Sequence, residues 1–184
     1  MSSEIDDKEL IKQYLQGDEK SLEILIKRHL KPIYGFVYRN IGDATAAEDV
    51  AQEVFMKVWK NLKKFDQNKN FKPWIFQIAK NATIDYLRKK KTIPFSKFEN
   101  ERGQNLLAEN IVSKQPDLIG ALSDKRASQA ILEKLSNRDR NIIDLRHLQG
   151  MSFNEIAQIS RESVNTIKSR YRRIILSLRQ NIKK

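Results

Sequence analysis

"FKPWIFQIAKNATIDYLRKKK", residues 71–91, places aromatic and small apolar residues ahead of a cluster of cations. If a helix begins at Pro73, where a missing N–H does no harm, the segment has two different faces. Its polar face is rich in cations and amides, and Trp74 lies at the margin. The apolar face, which we expect to pack into a core, consists of Phe71, Ile75, Ile78, Ala79, Ala82 and Tyr86.

The polar face of this helix has the composition of a nucleic-acid contact. Its cations can neutralise phosphates, its amides add hydrogen-bonding groups, and an aromatic ring can stack on an unpaired base. The polar loop "FDQNKN" at 65–70 can line a pocket for such a base. An ordinary amphipathic helix with a solvated basic end is the alternative. The candidate contacts are Asn70, Trp74, Gln77, Lys80, Asn81, Arg88 and Lys89.

The charge of the chain favours a polyanionic partner. Thirty-five Lys and Arg against 23 Asp and Glu give a net charge of +12, which suits nucleic acid or an acidic membrane surface. The excess is local, because residues 168–184 carry seven bases and no acid. Residues 1–30, in contrast, carry seven acids and five bases.

The composition also limits the class of protein. An apolar fraction of 40% is sufficient for a packed core, and the absence of Cys excludes disulfides, Cys-zinc sites and thiol redox switching. The first residues lack the basic-then-apolar order of a signal peptide, and no apolar run approaches the roughly 18 residues of a membrane span. We therefore expect a cytoplasmic protein without a membrane span.

Helical spacing of apolar residues dominates the chain, glycine is scarce and β-alternation is absent, which predicts an all-α fold. Pro32 interrupts one apolar stripe and predicts a kink or a break there. Residues 92–118 are polar and hold two of the four prolines, which is typical of a flexible linker. We predict two small helical domains, 8–92 and 122–184, joined by a linker at 93–121.

The segment "TAAEDVAQEVFMKVWKNL", 45–62, predicts a helix that begins with a capping box of Thr45 and Glu48. Its outward face can be a solvated surface or a binding surface for a basic partner. A metal site or catalytic pair at Asp49 and Glu53 is disfavoured because no His or Cys is nearby. The predicted core face is Ala47, Ala51, Val54, Phe55, Val58 and Leu62. The candidate binding surface is Asp49, Gln52, Glu53, Met56 and Trp59.

The C-terminal segment predicts three helices with short breaks. Ser136 and Ser152 occupy cap positions, and Ser152 with Glu155 forms a second capping box. A short helix of about eight residues and a long helix from about Ser163 have the spacing of a helix-turn-helix.

The long helix has an apolar arc and a polar, basic face that can meet phosphates and base edges. A membrane-surface helix and a charged face without a partner are the alternatives, the former weakened by the absence of Trp and Phe. The candidate DNA contacts are Asn165, Lys168, Ser169, Arg172 and Arg173, with Arg146 of the preceding helix on a phosphate.

In combination, these segments resemble a bacterial RNA polymerase sigma factor of the extracytoplasmic-function (ECF) group. The resemblance runs from about residue 10 to 180 and includes "AEDVAQEVFMKVW", the opening stretch, "LSNRDRNIIDLRHLQGMSFNEIA" and "SVNTIKSRYRRI", in that order. It implies that the surface between Asp49 and Trp59 binds the clamp helices of the polymerase. It also implies that 65–91 opens promoter DNA at the minus-ten element and that the last long helix reads the minus-thirty-five element.

The resemblance further implies partners and the absence of catalysis. Core RNA polymerase and promoter DNA are the expected partners, an anti-sigma factor is a further one, and the free chain should be a monomer. We expect no cofactor and no metal, because the magnesium and nucleotide chemistry would belong to the polymerase. A stand-alone helix-turn-helix regulator is the main competing function. An enzyme acting on nucleic acid is disfavoured because the chain lacks a phosphate-binding Gly loop and a His-rich site.

The turn of the helix-turn-helix departs from the family pattern. Relatives usually have Gly between two apolar residues, whereas this chain has Ser160, Arg161 and Glu162. Gly serves there because its φ can be positive. An arginine in that place predicts either a strained left-handed residue or a different type of turn.

Overall fold

The computed structural model describes residues 5–92 and 135–182, and every regular element in these two ranges is helical. The all-α prediction is therefore confirmed for this part of the chain. Two separate units are present, one within Met1–Asn105 and the other within Leu106–Lys184. The predicted linker at 93–121 lies outside the described residues, as does the start of the predicted C-terminal domain.

Four helices form the N-terminal unit: α1 (Asp7–Leu15), α2 (Glu19–Ile41), α3 (Ala44–Leu62) and α4 (Phe71–Thr92). Helix α2 contacts the other three, and α3 also contacts α4. All four contribute to one core, whose largest fully buried side chains are Leu10, Ile11, Leu25, Ile33, Phe36, Leu62, Ile75 and Phe76.

Helix α2 is continuous through Pro32, so of the two predicted outcomes, a kink or a break, the break does not occur. A proline inside a helix costs about 3 kcal/mol. Beyond it, Ile33, Phe36 and Val37 are fully buried, and each such side chain stabilises by about 1.5–3 kcal/mol. Packing of this second half of the helix therefore outweighs the proline.

The predicted capping box at the start of α3 is wrong, because the cap lies two residues earlier. Helix α2 ends at Gly42, which has a left-handed φ of 76°, and the chain turns immediately into α3. Asp43 is then the residue in the cap position, and its Oδ1 accepts a hydrogen bond from Ala46 N at 3.0 Å. Thr45 lies inside the helix.

Helix α4 begins at Phe71, two residues before the predicted start. Phe71 is buried and forms edge contacts with Phe65 and His29, at centroid distances of 5.8 and 5.2 Å. These contacts favour an earlier start. Pro73 still falls in the first turn, where its missing N–H costs little.

Helix α1 is fixed to α2 by a part-buried ion-pair group. Asp7 accepts a hydrogen bond from Arg28 Nη1 at 2.7 Å, and its other oxygen lies 2.8 Å from His29 Nε2. Burial alone would raise the pKa of the Asp7 carboxyl, but the contacts with His29 and Arg28 together hold that pKa below its ordinary value. Helical periodicity in the sequence does not predict this group, because its members come from two different helices.

The described C-terminal unit has three helices, as predicted. Helix α5 (Asn137–Ile143) continues as a π-helical turn (Asp144–Leu148), and α6 (Phe153–Ser160) and α7 (Val164–Ile182) follow. Ser152 and Glu155 form the predicted capping box at the start of α6, and Ser136 caps α5. The buried apolar side chains are Ile142, Leu145, Met151, Ile156, Ala157, Ile159, Ile167 and Ile174.

Candidate functional surfaces

The outward face of α3 has the composition that the sequence predicts. Met56 and Trp59 are 55% and 54% exposed, so two large apolar side chains lie in water beside acids and an amide. Of the predicted core face, only Phe55 is not fully buried. We call the exposed set the α3 surface: Asp49, Gln52, Glu53, Met56 and Trp59.

One acid of the α3 surface has a partner on its own helix. Glu53 Oε1 lies 2.6 Å from Lys57 Nζ. In the described ranges, no three His, Asp or Glu side chains lie close enough together to hold a metal ion. The α3 surface combines acidic side chains with exposed apolar ones, a combination that suits a partner with basic and apolar groups.

The polar face of α4 is only partly exposed. Asn81, Arg88 and Lys89 are exposed, whereas Gln77 and Lys80 are half-buried. We call the predicted contacts on this side the α4 surface: Asn70, Trp74, Gln77, Lys80, Asn81, Arg88 and Lys89.

The Trp74 side chain lies at the margin of the apolar face, as predicted, but other aromatic rings hold it in place. Its ring packs against Phe65 and Phe71, at centroid distances of 4.8 and 5.6 Å, and it is half-buried. These contacts fix the ring at the end of the 65–70 loop. The part of Trp74 that remains accessible can still offer a flat surface to a base.

The 65–70 loop is held by a turn at its own aspartate. Asp66 Oδ1 accepts from Asn68 N at 3.0 Å, and the Asp66 carbonyl accepts from Lys69 N at 2.9 Å. Asn70 is exposed at the end of the loop, just before α4. The loop therefore presents amide and cationic side chains next to the aromatic rings.

The prediction for α4 missed two core residues. Phe76 is fully buried, with its ring 5.5 Å from that of Phe36, and Thr83 is buried with its hydroxyl donating to Ala79 O at 2.8 Å. Because α4 packs against both α2 and α3, its buried arc is wider than one face. Phe76 widens the apolar arc of this segment, and that width was the signal in the sequence for a helix buried on more than one side.

Helix α7 presents the predicted basic row. Ile167 and Ile174 are buried on the opposite side. We call the exposed row the α7 surface: Asn165, Lys168, Ser169, Arg172 and Arg173.

Arg146, the sixth predicted contact of this unit, is engaged within the protein. Its Nη1 donates to Met151 O at 2.8 Å, and its guanidinium lies 4.8 Å from the centre of the Phe153 ring. These contacts join the end of α5 to the start of α6. Only its remaining donors are available for a phosphate.

His147 and Tyr171 join α5 to α7. His147 Nε2 lies 2.9 Å from the Tyr171 hydroxyl, and the two rings stack at 5.7 Å. Burial lowers the pKa of His147, and the charge of Arg146 lowers it further. The imidazole therefore packs against the middle of α7, where its surroundings favour the neutral form over the charged one.

The turn of the helix-turn-helix takes the first of the two predicted forms. Arg161 adopts a left-handed conformation, with φ 55° and ψ 42°. Arg161 N donates to Gln158 O and Glu162 N to Ala157 O, so the turn satisfies carbonyls at the end of α6. Glu162 Oε1 lies 3.3 Å from Arg170 Nη1, which ties the turn to α7.

Family models match both units. The model for sigma-70 region 2 matches residues 25–93, and the model for sigma-70 region 4 matches residues 125–178. The first therefore covers most of α2 and all of α3 and α4, and the second covers the helix-turn-helix. None of the described helices has both the length and the hydropathy that a membrane span requires.

Relatives match over nearly the whole chain. The ECF RNA polymerase sigma factor SigW of Bacillus subtilis (strain 168) is 31% identical over 182 residues, which is 96% of each chain. The ECF RNA polymerase sigma-E factor of Escherichia coli (strain K12) is 28% identical over 174 residues, 92% of this chain and 91% of the relative.

Two solved structures have a similar fold. The sigma factor RpoE of Bartonella quintana, in complex with the anti-sigma factor NepR, is 26% identical with a TM-score of 0.67, covering 89% of this chain and 98% of that one. CnrH, in complex with the cytosolic domain of CnrY, has a TM-score of 0.68 at 24% identity, covering 96% and 97%.

Two helical units, the second a helix-turn-helix, together with these matches define an RNA polymerase sigma factor. The chain belongs to the ECF group of these factors. This membership favours the sigma-factor hypothesis over the stand-alone regulator.

Proposed function

We propose that this sigma factor binds core RNA polymerase through the α3 surface and reads promoter DNA through the α4 and α7 surfaces. The minus-ten element would be opened and held by α4 and the 65–70 loop. The minus-thirty-five element would be read by α7. The proposed domains are 8–92 and 122–184, with 93–121 as the linker between them.

The exposed α3 surface is the observation that carries the assignment of the polymerase contact. Met56 and Trp59 are each more than half exposed, and burying their apolar surface in an interface would be favourable through the hydrophobic effect. Tryptophans of this kind are frequent among the few residues that dominate binding energy. The acids around them would favour a basic partner and orient it.

For the minus-ten element, the proposal rests on exposed amides and cations beside a fixed aromatic group. Phe65, Phe71 and Trp74 support the loop that would receive an unstacked base. Asn81 and Arg88 are exposed on the helix that follows and would hold the strand.

For the minus-thirty-five element, the proposal rests on the basic row of α7. Arginine and asparagine can each make two hydrogen bonds to a base edge in the major groove, and lysine can neutralise a phosphate. Two weak DNA modules on one tether gain effective concentration when polymerase holds both. Promoter binding should therefore depend on the holoenzyme and weaken as salt rises.

The proposed partners and location follow from the same surfaces. RpoE of Bartonella quintana is seen in complex with an anti-sigma factor, and we propose that this chain also has such a partner, which would cover the α3 surface. Catalysis would belong to the polymerase alone, with no cofactor on this chain. The protein would act in the cytoplasm, where the chromosome and polymerase are.

The test is co-elution of the purified chain with bacterial core RNA polymerase on a sizing column. The wild type should bind stoichiometrically, and Trp59→Ala should lose most of the binding because it removes the largest exposed apolar side chain of the α3 surface. Leu30→Ala is the matched control, since Leu30 is 49% exposed on α2 and outside that surface. Equal binding of both variants would contradict the assignment of the α3 surface. A wild type that does not bind core enzyme would contradict the proposed function.

A further inference from the structure

Arg161 occupies a backbone conformation that does not suit it. Among the residues that the structure describes, it alone has a positive φ without being glycine. In this region the β-carbon of an L-residue is close to backbone atoms, whereas glycine has no such penalty. The local backbone therefore favours glycine at this position, and another cause is needed for an arginine.

No polar contact of the Arg161 side chain inside the described part of the protein supplies that cause. The Arg161 side chain is exposed and has no hydrogen bond or ion pair with residues in 5–92 or 135–182. The next residue differs, since Glu162 is half-buried and paired with Arg170 at 3.3 Å. The turn is thus held by Glu162, and the guanidinium of Arg161 is available to a partner.

The position of Arg161 identifies the chemistry of that partner. The residue lies in the turn just before α7, whose exposed face is already basic at Lys168 and Arg172. When a helix of this motif enters the major groove, its first residues meet base edges. The turn before them then lies beside the sugar-phosphate strand that borders the groove.

We infer that Arg161 contacts a DNA phosphate and positions α7 on the promoter. This inference rests on the proposed function of the α7 surface and extends that surface into the turn. A phosphate contact carries no sequence information, but it fixes the register of the helix on the duplex. Arg161 is therefore a positioning residue, distinct from the proposed base readers on α7.

Arg161→Gly changes two properties at once, since it relieves the backbone strain and removes the cation. The two changes can be told apart because the first affects stability and the second affects DNA binding. The unfolding midpoint of the C-terminal unit, measured by calorimetry, should rise or stay equal. The affinity of the holoenzyme for DNA should nevertheless fall, by about threefold to tenfold at moderate salt. If the variant is at least as stable as the wild type, damage to the fold cannot explain its lower affinity for DNA.

The probe is a duplex selected from a random-sequence pool by the wild-type holoenzyme, and binding is measured over a series of salt concentrations. Loss of one phosphate contact should reduce the slope of log affinity against log salt by about 0.9. Arg161→Lys is the matched control, which keeps the cation and should keep the wild-type slope. The sequence selected by the Arg161→Gly holoenzyme should be the same as that selected by the wild type.

Unchanged affinity and slope in Arg161→Gly would overturn the inference, as would a loss of affinity without a change in slope. The second result would mean that glycine had changed the pose of α7. Arg172→Ala, measured in parallel, tests the proposed function separately. If Arg172→Ala binds weakly while Arg161→Gly binds normally, only the inference on Arg161 fails. If the wild-type holoenzyme selects no sequence, both fail.

Discussion

Glu53 and Lys57 are paired across one turn of α3, with Glu53 Oε1 2.6 Å from Lys57 Nζ. Both side chains are about half exposed, and exposed pairs one turn apart stabilise a helix by only about 0.3–0.5 kcal/mol. The pair therefore orients the Glu53 carboxylate on the α3 surface more than it stabilises the fold. Its effect on stability and its effect on binding can be measured separately.

We predict that Glu53→Lys lowers the affinity for core RNA polymerase about tenfold or more, because it would place a cation opposite the proposed basic partner. Its unfolding free energy should change by less than about 1 kcal/mol. The measurement is a titration of labelled sigma factor with core enzyme. Lys57→Ala breaks the same ion pair but retains the acid, so it should keep wild-type affinity. Equal losses in the two variants would show that the ion pair, and not the acid, matters for binding.

We predict that Arg172→Ala reduces promoter-directed transcription about tenfold and leaves binding to core polymerase unchanged. One hydrogen-bonded base contact of an arginine contributes about 1–3 kcal/mol of discrimination. The measurement is run-off transcription from a promoter selected by the wild-type holoenzyme, with co-elution as the second readout. Arg138→Ala, an exposed arginine on α5, is the control and should transcribe normally. Loss of polymerase binding in Arg172→Ala would contradict the division of labour between the two units.

The sequence predicted the outward faces of α3 and α7 well, because exposure follows directly from a period of 3.6 residues. The predicted outward positions of α3 and α7 are exposed. The start of α3 was mispredicted because Asp43 and Thr45 are both good cap residues. The choice between them depends on where Gly42 ends α2, and the spacing of apolar residues does not indicate that position.

Features that depend on two distant segments could not be predicted. The Asp7 group joins residues about twenty positions apart, and the His147–Tyr171 contact spans a similar interval. Phe76 was missed because α4 packs between two helices. The turn at Arg161 was predicted in part. The sequence limited it to two forms, and the structure has the strained one.

We predict that His147 titrates below its ordinary pKa of about 6.5, because burial disfavours its charged form. The unfolded chain then binds more protons than the folded chain as pH falls through 6.5, so the C-terminal unit should become less stable there. Above that pH, protonation of His147 no longer reduces the stability of this unit. The measurement is an NMR titration of the imidazole protons. The chain has only two histidines, so the spectrum of His147→Gln assigns the signal. A midpoint at or above 6.5 would contradict the prediction.

We predict that Asp7→Ala destabilises the N-terminal unit by about 1.5–3 kcal/mol, because a charged hydrogen-bond acceptor is lost between Arg28 and His29. The pKa of Asp7 is lowered in the folded state, so its contribution is complete above the unfolded pKa of about 3.9 and is lost as pH falls through the folded value. The difference in stability between wild type and variant should therefore be full near about pH 5 and smaller near about pH 3. Urea unfolding followed by tryptophan fluorescence measures this unit alone, since both tryptophans, Trp59 and Trp74, lie within it.

The control for this experiment is Glu23→Ala, which removes the exposed ion pair between Glu23 and Lys27 on α2. Solvent screens that pair, so its removal should leave the unfolding midpoint unchanged. If Asp7→Ala behaves like the control, the contacts of Asp7 with Arg28 and His29 do not stabilise α1 on α2. If the difference in stability between wild type and Asp7→Ala is equally large at acid pH, the charge of the Asp7 carboxylate does not cause it. Packing of α1 would then account for the loss of stability.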